Sequence, residues 1–165
     1  QTAFMAIDGV HHGSIQDDKV ALHMTDVSHI ENHKQYSFLN TGSPHHVEMV
    51  ANLEDLNVVD KGRAIRNNSY GTAGANINFV SKISGDTFSV RTYERGVEDE
   101  TLSCGTGVTA VALVMFDTKQ TDSSKIYLKT PGGELCVCFD KKEQTYTNII
   151  LTGPAIQVYR GTWEL

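Results

Sequence analysis

The sequence predicts an α+β fold in which antiparallel strands curl around a central buried helix. Apolar residues alternate with polar ones at period two along most of the chain, a pattern typical of half-buried strands. One stretch, 104–116, carries no charge and is apolar on all sides, so protein must surround it. With 165 residues, 39% of them hydrophobic, the chain can build one such core.

Alternating stretches predict eight strands, and turn residues separate them. Gly and Pro supply chain reversals at Ser84-Gly85-Asp86, Thr130-Pro131-Gly132-Gly133 and Thr152-Gly153-Pro154. The predicted strands lie at 20–24, 36–39, 47–50, 76–80, 88–92, 126–128, 135–139 and 147–151.

Two helices are predicted. The first spans about 56–66, where Val58, Val59 and Ile65 form a partial apolar stripe among charged residues. This pattern is typical of a helix that crosses the protein surface between two strands. The second begins near Cys104 and continues without a charge to Phe116.

Charge and hydropathy exclude several classes of function. Fourteen basic against twenty acidic residues give a net charge of −6, so no positive field attracts nucleic acid or anionic membranes. The longest apolar run, 108–116, is much shorter than the roughly 18–20 residues that span a bilayer. We therefore expect a cytoplasmic protein with neither partner. Because the chain does not begin with Met, we expect its beginning to be missing.

The cysteines and histidines predict no metal site. Three cysteines are an odd number, which favours reduced thiols over disulfides. Cys136 and Cys138 share one face of a predicted strand, and we expect that face to point into the core. His29 and His33 are four residues apart, but no third ligand accompanies them.

Chemistry concentrates between Glu94 and Gly107. A strand ends at Glu94-Arg95, and the backbone must turn at Arg95-Gly96 if both side chains are to reach one ligand. The helix start at Cys104-Gly105-Thr106-Gly107 presents unpaired N–H groups, which suit a small carboxylate and favour the thiolate of Cys104. An arginine can bind a second carboxylate while Glu94 holds an ammonium group. The pattern predicts a site for an amino acid with a second charged end.

These residues also have purely structural interpretations. Cys104 fits a small buried residue at a tight turn, and Glu94-Arg95 fits a solvated strand end. Asn76 and Asn78 share a strand face and either can donate to a carboxylate, although edge and turn positions explain them equally well. The two glycines after Cys104 favour catalysis, because each costs a helix up to about 1 kcal/mol relative to alanine.

Five motifs, in the same order and over nearly the whole chain, resemble the diaminopimelate epimerase family. The strongest is Tyr93-Glu94-Arg95-Gly96 followed by 100–107, with Cys104-Gly105-Thr106-Gly107 at its end. The other four are Thr41-Gly42-Ser43-Pro44-His45, Gly74-Ala75-Asn76-Ile77-Asn78-Phe79-Val80, Thr130-Pro131-Gly132-Gly133 and Gly153-Pro154-Ala155.

The resemblance implies an epimerase without a cofactor that interconverts LL- and meso-diaminopimelate in lysine and peptidoglycan biosynthesis. It implies two similar domains, each with strands around a central helix and each with one catalytic cysteine. Cys104 is then one member of the acid/base pair, with His45 beside it. The implied substrate contacts are Glu94 to the ammonium, Gly105 and Thr106 to the carboxylate on the reacting carbon, and Arg95 and Asn76 to the distal carboxylate.

The sequence departs from the family pattern in three places. Ser43 stands where the family often has Asn, so its contact with the distal carboxylate is weaker or passes through water. The loop 97–100 is one residue longer than the common form. The family's first cysteine, in a Cys-Gly-Asn-Gly type motif, has no counterpart.

We therefore expect a C-terminal portion of a longer enzyme. Residues 1–24 are the tail of the missing N-terminal domain, 25–153 form the C-terminal catalytic half-domain, and 154–165 return toward the N-terminal domain. Alone, this portion should be a poor or inactive epimerase. Its partner surface should be apolar and exposed, so we expect self-association, for example as a homodimer.

Three alternatives remain open from the sequence. One is another isomerase of the same fold, such as a proline racemase or a phenazine-biosynthesis type enzyme, although Arg95 and Asn76 anticipate a distal charge that proline lacks. The second is a domain that binds diaminopimelate without turnover. The third is a cysteine hydrolase, which needs His45 within hydrogen-bond reach of Cys104.

Overall fold

Twelve strands and two helices make up the part of the chain that the computed structural model describes, residues 1–6 and 9–163. The helices are α1 (Val58–Tyr70) and α2 (Gly105–Asp117). The strands are β1 (Thr2–Ala6), β2 (Gly9–Gln16), β3 (Lys19–His23), β4 (Ile30–Asn32), β5 (Ser37–Asn40), β6 (Pro44–Met49), β7 (Asn76–Ser84), β8 (Thr87–Glu94), β9 (Asp99–Thr101), β10 (Lys125–Thr130), β11 (Gly133–Lys142) and β12 (Thr145–Pro154).

The strands form one mixed sheet in the order β1-β2-β3-β12-β11-β10-β8-β7-β6-β5-β4, with β9 paired to β8. Most neighbours are antiparallel, as the alternating pattern predicts. The pairs β6–β7 and β8–β10 are parallel. Parallel neighbours need a crossover connection, and α1 and α2 lie in these two connections.

Helix α2 is the buried centre of the fold, as expected. Every residue of 107–115 is buried, and the helix packs against β5, β6, β7, β8, β10, β11 and β12. Its apolar side chains meet Val80, Phe88 and Val90 from the β7–β8 pair and Ile126, Leu128 and Val137 from β10 and β11. This confirms the α+β fold with strands curled around one helix.

Helix α1 covers the opposite face of β7 and β8. Because β7 side chains alternate, Ile77 and Phe79 point toward α1 whereas Val80 points toward α2. The helix begins at Val58, where the Asn57 side chain accepts the Asp60 N–H at 3.1 Å, and it ends at Tyr70, four residues later than predicted. It is the crossover helix that the sequence indicates.

One predicted turn is wrong. Thr152-Gly153-Pro154 continues β12, where it pairs with β3 in the register Thr152↔Ala21, Gly153↔Val20 and Pro154↔Lys19. Gly153 is needed for packing, because a side chain there would collide with that of Leu135. The other two predicted turns, at Gly85 and at Pro131-Gly132, are present.

The core-facing prediction for Cys136 and Cys138 is also wrong. Their neighbours Val137 and Phe139 are buried against α2, so alternation turns the two cysteines to the outer face of β11, where both are half-buried. Their sulfur atoms lie 4.0 Å apart and form no disulfide. Within the described residues, no group of three or more metal-ligating side chains is present.

The two ends of the chain differ in secondary structure. Within the described part of 1–24, β1–β3 extend the sheet through the β3–β12 pair. Residues 155–163 form no helix or strand and expose Ile156, Val158, Tyr159 and Trp163, each by 80% or more. The last two residues of the predicted returning segment, 164–165, lie outside the described part, as do 7–8. In the described residues, neither helix has the length and apolarity to cross a membrane.

Gly62 on α1 provides a test of how closely the helix packs on β8. A Cβ at this position would overlap the side chain of Tyr93, which is fully buried. We expect Gly62→Ala to lower the free energy of unfolding by about 2 kcal/mol, because overpacking outweighs the gain in helix propensity. Urea denaturation measures the change. Gly85→Ala, where a Cβ meets nothing within 4 Å, is the control and should change stability little.

Candidate active site

Cys104 lies directly before the first residue of α2, with its side chain turned into the protein. It is the N-cap residue in an extended conformation, and only 8% of its surface is exposed. Gly107 allows this close packing: a Cβ there would lie 2.5 Å from Asn78 Oδ1 and 3.2 Å from Cys104 Sγ. The predicted glycine-rich helix start therefore brings β7 and the thiol together.

A chain of hydrogen bonds leads from β7 through His45 and Thr106 to this thiol. The amide of Asn78 lies 3.2 Å from His45 Nδ1, and His45 Nε2 lies 2.9 Å from Thr106 Oγ1. Thr106 Oγ1 in turn lies 3.5 Å from Cys104 Sγ. His45 therefore reaches Cys104 only through the Thr106 hydroxyl.

The direction of this chain follows from the orientation of Asn78. Its NH2 group also donates to the carbonyl of His46 at 2.9 Å, and its Oδ1 accepts from the Thr92 hydroxyl at 3.0 Å. The amide therefore presents a donor to His45 Nδ1, which must be unprotonated. His45 then carries its proton on Nε2 and donates to Thr106, whose own proton is left for the sulfur atom.

Burial keeps His45 neutral. Its pKa falls from 6.5 to about 3, first because the ring is removed from water and second because of the positive charge of Arg95. The imidazole is therefore uncharged at any pH at which the fold is expected to work. Its Nε2–H can donate to the Thr106 hydroxyl and orient it, but the ring is a poor base for the thiol.

The pKa of Cys104 is raised, contrary to the expectation that the helix start favours the thiolate. Burial of the sulfur is the largest cause, and the nearby Glu94 carboxylate adds to it. The Thr106 hydroxyl and the backbone N–H groups of Thr106 and Gly107 lower the pKa, as a helix start should, but they do not outweigh burial. In this environment the neutral thiol predominates at pH 7.

Glu94 and Arg95 lie where the chain reverses after β8. Residues 95–98 form the turn, and Gly96 adopts φ +91°, which favours glycine. The predicted reversal at Arg95-Gly96 is therefore present. Glu94 lies at the end of β8, on the same side as the α2 start, and its field reaches Cys104.

Asn76 and Ser43 hold Arg95 in place. Asn76 Oδ1 accepts the backbone N–H of Arg95 at 2.9 Å, while its amide donates to Ser43 Oγ at 2.9 Å and to the carbonyl of Pro44 at 3.2 Å. The Arg95 guanidinium donates to the carbonyl of Ala73 at 2.9 Å and contacts Ser43 Oγ at 3.5 Å. Asn76 thus donates both of its amide hydrogens to the protein, and the exposed Arg95 keeps further N–H donors for a ligand.

Sequence reasoning missed two threonines that fix the network. Thr92 orients the Asn78 amide, and Thr41 donates to the carbonyl of Thr106 at 2.9 Å. The pairing of Asn78 with Thr92 follows from the β7–β8 register. It could have been predicted from the two strands 76–80 and 88–92 and the turn between them. Thr41 lies in a loop, and no local sequence pattern indicates that this loop approaches α2.

Solved structures of amino-acid epimerases share this fold. A hydroxyproline epimerase from Agrobacterium vitis with bound trans-4-hydroxy-L-proline aligns with a TM-score of 0.70 and 15% identity, over 93% of this chain and 57% of that one. A probable proline racemase from Agrobacterium radiobacter aligns with a TM-score of 0.63 and 15% identity, over 89% of this chain and 55% of that one. At this identity the likeness shows the fold alone.

Sequence comparison identifies the family. The chain is 50% identical to a diaminopimelate epimerase from Flavobacterium psychrophilum over 98% of its length, and 42% identical to one from Chlorobaculum tepidum over 90%. It spans 64% and 60% of the lengths of these relatives. The diaminopimelate epimerase family pattern matches residues 37–158, which include Cys104, His45, Glu94 and Arg95. The chain belongs to the diaminopimelate epimerase family.

Proposed function

We propose that the protein to which this chain contributes is a diaminopimelate epimerase, which interconverts the LL and meso forms without a cofactor. The observation that carries the proposal is the thiol of Cys104 at the start of a buried helix, with Glu94 at the end of β8 and Arg95 on the turn that follows. The relatives with 50% and 42% identity that carry this name support it. The product would serve lysine and peptidoglycan synthesis.

The reaction requires removal of a proton from a carbon between an ammonium and a carboxylate. The resulting charge spreads onto the carboxylate oxygens, and backbone N–H groups at a helix start stabilise it. Gly105 and Thr106 supply such groups beside Cys104. Inversion also needs an acid on the opposite face of the carbon. We assign one face to Cys104 and the other to a thiol outside this chain.

We assign the substrate contacts from the positions of the charged side chains. Glu94 lies close enough to influence Cys104 and is placed to hold the ammonium on the reacting carbon. Arg95 is exposed on the turn and is placed to bind the distal carboxylate in a bidentate manner. Ser43 and Asn76 act mainly by orienting Arg95, although Ser43 Oγ can also accept a water that bridges to the substrate.

The geometry disfavours the cysteine hydrolase. Such an enzyme needs a histidine that takes the thiol proton, but both ring nitrogens of His45 are engaged, by Asn78 and by Thr106. Its pKa of about 3 makes it a weak base. The proline racemase alternative does not explain why an exposed arginine lies on the turn that directly follows Glu94.

We place the activity in the cytoplasm and propose the missing N-terminal domain as the partner of this portion. The three free thiols suit a reducing compartment. The exposed apolar side chains of Ile156, Val158, Tyr159 and Trp163 provide a surface for that domain, or for a second copy when this portion is isolated. We propose neither a nucleic acid nor a membrane as a partner.

Replacing the thiol of Cys104 tests the proposed function. In the intact protein, we expect Cys104→Ala to abolish inversion of LL-diaminopimelate, because one face of the carbon then has no acid or base. Incubation in D2O, with deuterium at the α-carbon followed by NMR, measures exchange and inversion together. Cys138→Ala removes a thiol from the outer face of β11 and should retain the wild-type rates.

The same assay separates the alternatives. An intact wild-type protein that binds the compound without exchanging its α-proton would be a binding protein rather than an epimerase. Retention of inversion in Cys104→Ala would show that the acid/base role assigned to this residue is wrong. We expect the 165-residue portion alone to invert poorly or not at all.

The Thr106 hydroxyl provides a test of the thiolate environment. Because it lowers the pKa of Cys104, Thr106→Val should raise that pKa further and slow alkylation by iodoacetamide about tenfold at pH 8. In both proteins the rate should rise with pH as the thiolate fraction grows. Mass spectrometry of the peptide that contains residue 104 measures the rate. Thr109→Val, one turn later on α2, should alkylate like the wild type, and faster alkylation of Thr106→Val would contradict the assigned direction of donation.

A further inference from the structure

We propose that Glu98, in the turn formed by residues 95–98, positions Arg95 for the end of the substrate that lies away from the reacting carbon. It does so by tying the 95–98 turn to helix α1 through Tyr93 and Arg66. Glu98 is thus a positioning residue and not a catalytic one. This inference rests on the proposed function, since it concerns the distal carboxylate of the same substrate.

The Glu98 carboxylate joins three separate parts of the structure. Its Oε2 accepts the hydroxyl of Tyr93 at 2.9 Å, and its Oε1 accepts the backbone N–H of Gly96 at 3.1 Å. Oε1 also forms an ion pair with Arg66 Nε at 3.2 Å. These contacts keep the pKa of Glu98 below its usual value, so the carboxylate is charged at neutral pH.

The two side chains that Glu98 contacts, Tyr93 and Arg66, are themselves held in place by helix α1. The Tyr93 ring is fully buried against α1, where Gly62 makes room for it. Arg66 projects from α1, and its Nη1 donates to the carbonyl of Gly71 at 3.1 Å. The turn that carries Arg95 is therefore anchored to the helix by the Glu98 carboxylate, while Arg95 itself is exposed.

The charge of Glu98 has a second effect on Arg95. Arg66 and Arg95 pass side by side over Gly74: a Cβ there would lie 3.0 Å from Arg95 Cδ and 3.1 Å from Arg66 Nε. Without Glu98, the positive charge of Arg66 would be uncompensated next to Arg95. It would repel the Arg95 guanidinium and compete with it for a carboxylate ligand.

The backbone conformation of Glu98 indicates that its side-chain contacts hold this residue in position. Glu98 adopts φ +60°, a left-handed conformation that favours glycine and costs other residues on the order of 1 kcal/mol. A glutamate in that position needs compensation, and its three carboxylate contacts supply it. Substitution by glycine would therefore remove the contacts of the carboxylate without straining the turn, which separates positioning from folding.

Steady-state kinetics of the intact protein test the inference. With LL-diaminopimelate as substrate, we expect Glu98→Gln to raise KM about tenfold and to leave kcat within about twofold of wild type, because the distal contact is made equally in ground and transition states. Glu98→Gly should give the same change with a urea midpoint no lower than that of wild type. The control is Asp99→Asn, whose exposed carboxylate accepts only the adjacent Glu100 N–H among described contacts, and it should leave both parameters unchanged.

A double-mutant cycle shows whether Glu98 acts through Arg95. In an Arg95→Lys background, Glu98→Gln should raise KM by less than threefold, since the group it positions is already lost. An unchanged KM in both Glu98 variants, or a full tenfold effect in the Arg95→Lys background, would overturn the inference while leaving the epimerase intact. An inactive wild-type protein would overturn the proposed function and this inference with it.

Discussion

The burial of helix α2 on all sides is the constraint on which the rest of the structure depends. A helix that carries no charge before its last residue, Asp117, gains most from being enclosed, and seven strands of the sheet pack against it. The first turn of that helix, however, has N–H groups with no partner inside the helix. The backbone N–H groups of Thr106 and Gly107 are directed at the sulfur of Cys104. Around them, Thr41 donates to the carbonyl of Thr106, and His45, held by Asn78, contacts the Thr106 hydroxyl, so polar side chains gather at this one end of an otherwise apolar core.

The same burial determines the chemistry of Cys104. Removal from water raises the pKa of the thiol and lowers that of His45, so both groups are neutral in the described structure. The hydrogen bonds then run in one direction, from Asn78 toward the sulfur. A thiolate formed during the reaction would meet donors that are already in position, without rearrangement of the surrounding side chains.

The sequence alone predicted the parts of the fold that depend on local pattern. The uncharged run predicted α2, and the motif at Glu94-Arg95 predicted the turn, because each requires particular residues at adjacent positions. Gly153 was misassigned, since a glycine that makes room for Leu135 has the same local signature as a glycine that turns the chain. The orientation of the Cys136 and Cys138 face, and the approach of Thr41 to α2, depend on which strands the helix covers, and this is a property of tertiary packing.

The two crossover connections explain how one short chain brings His45, Glu94 and Cys104 to the same end of the sheet. His45, the second residue of β6, pairs with Asn76 at the start of β7, and β8 runs antiparallel to β7 so that Glu94 lies at the same end of these strands. Helix α2 brings the Cys104 thiol to one side of this end of the strands, and the contacts of Glu98 with Tyr93 and Arg66 connect the Arg95 turn to α1 on the other side. The β7–β8 pairing sets where Glu94 ends, and the side chains of Asn76 and Glu98 accept the backbone N–H groups of Arg95 and Gly96 and hold the turn in place. On the proposed function, a substrate is selected by the distance between its reacting carbon and its distal carboxylate, and the side chains of Asn76 and Glu98 help to set the position of the arginine that meets that carboxylate.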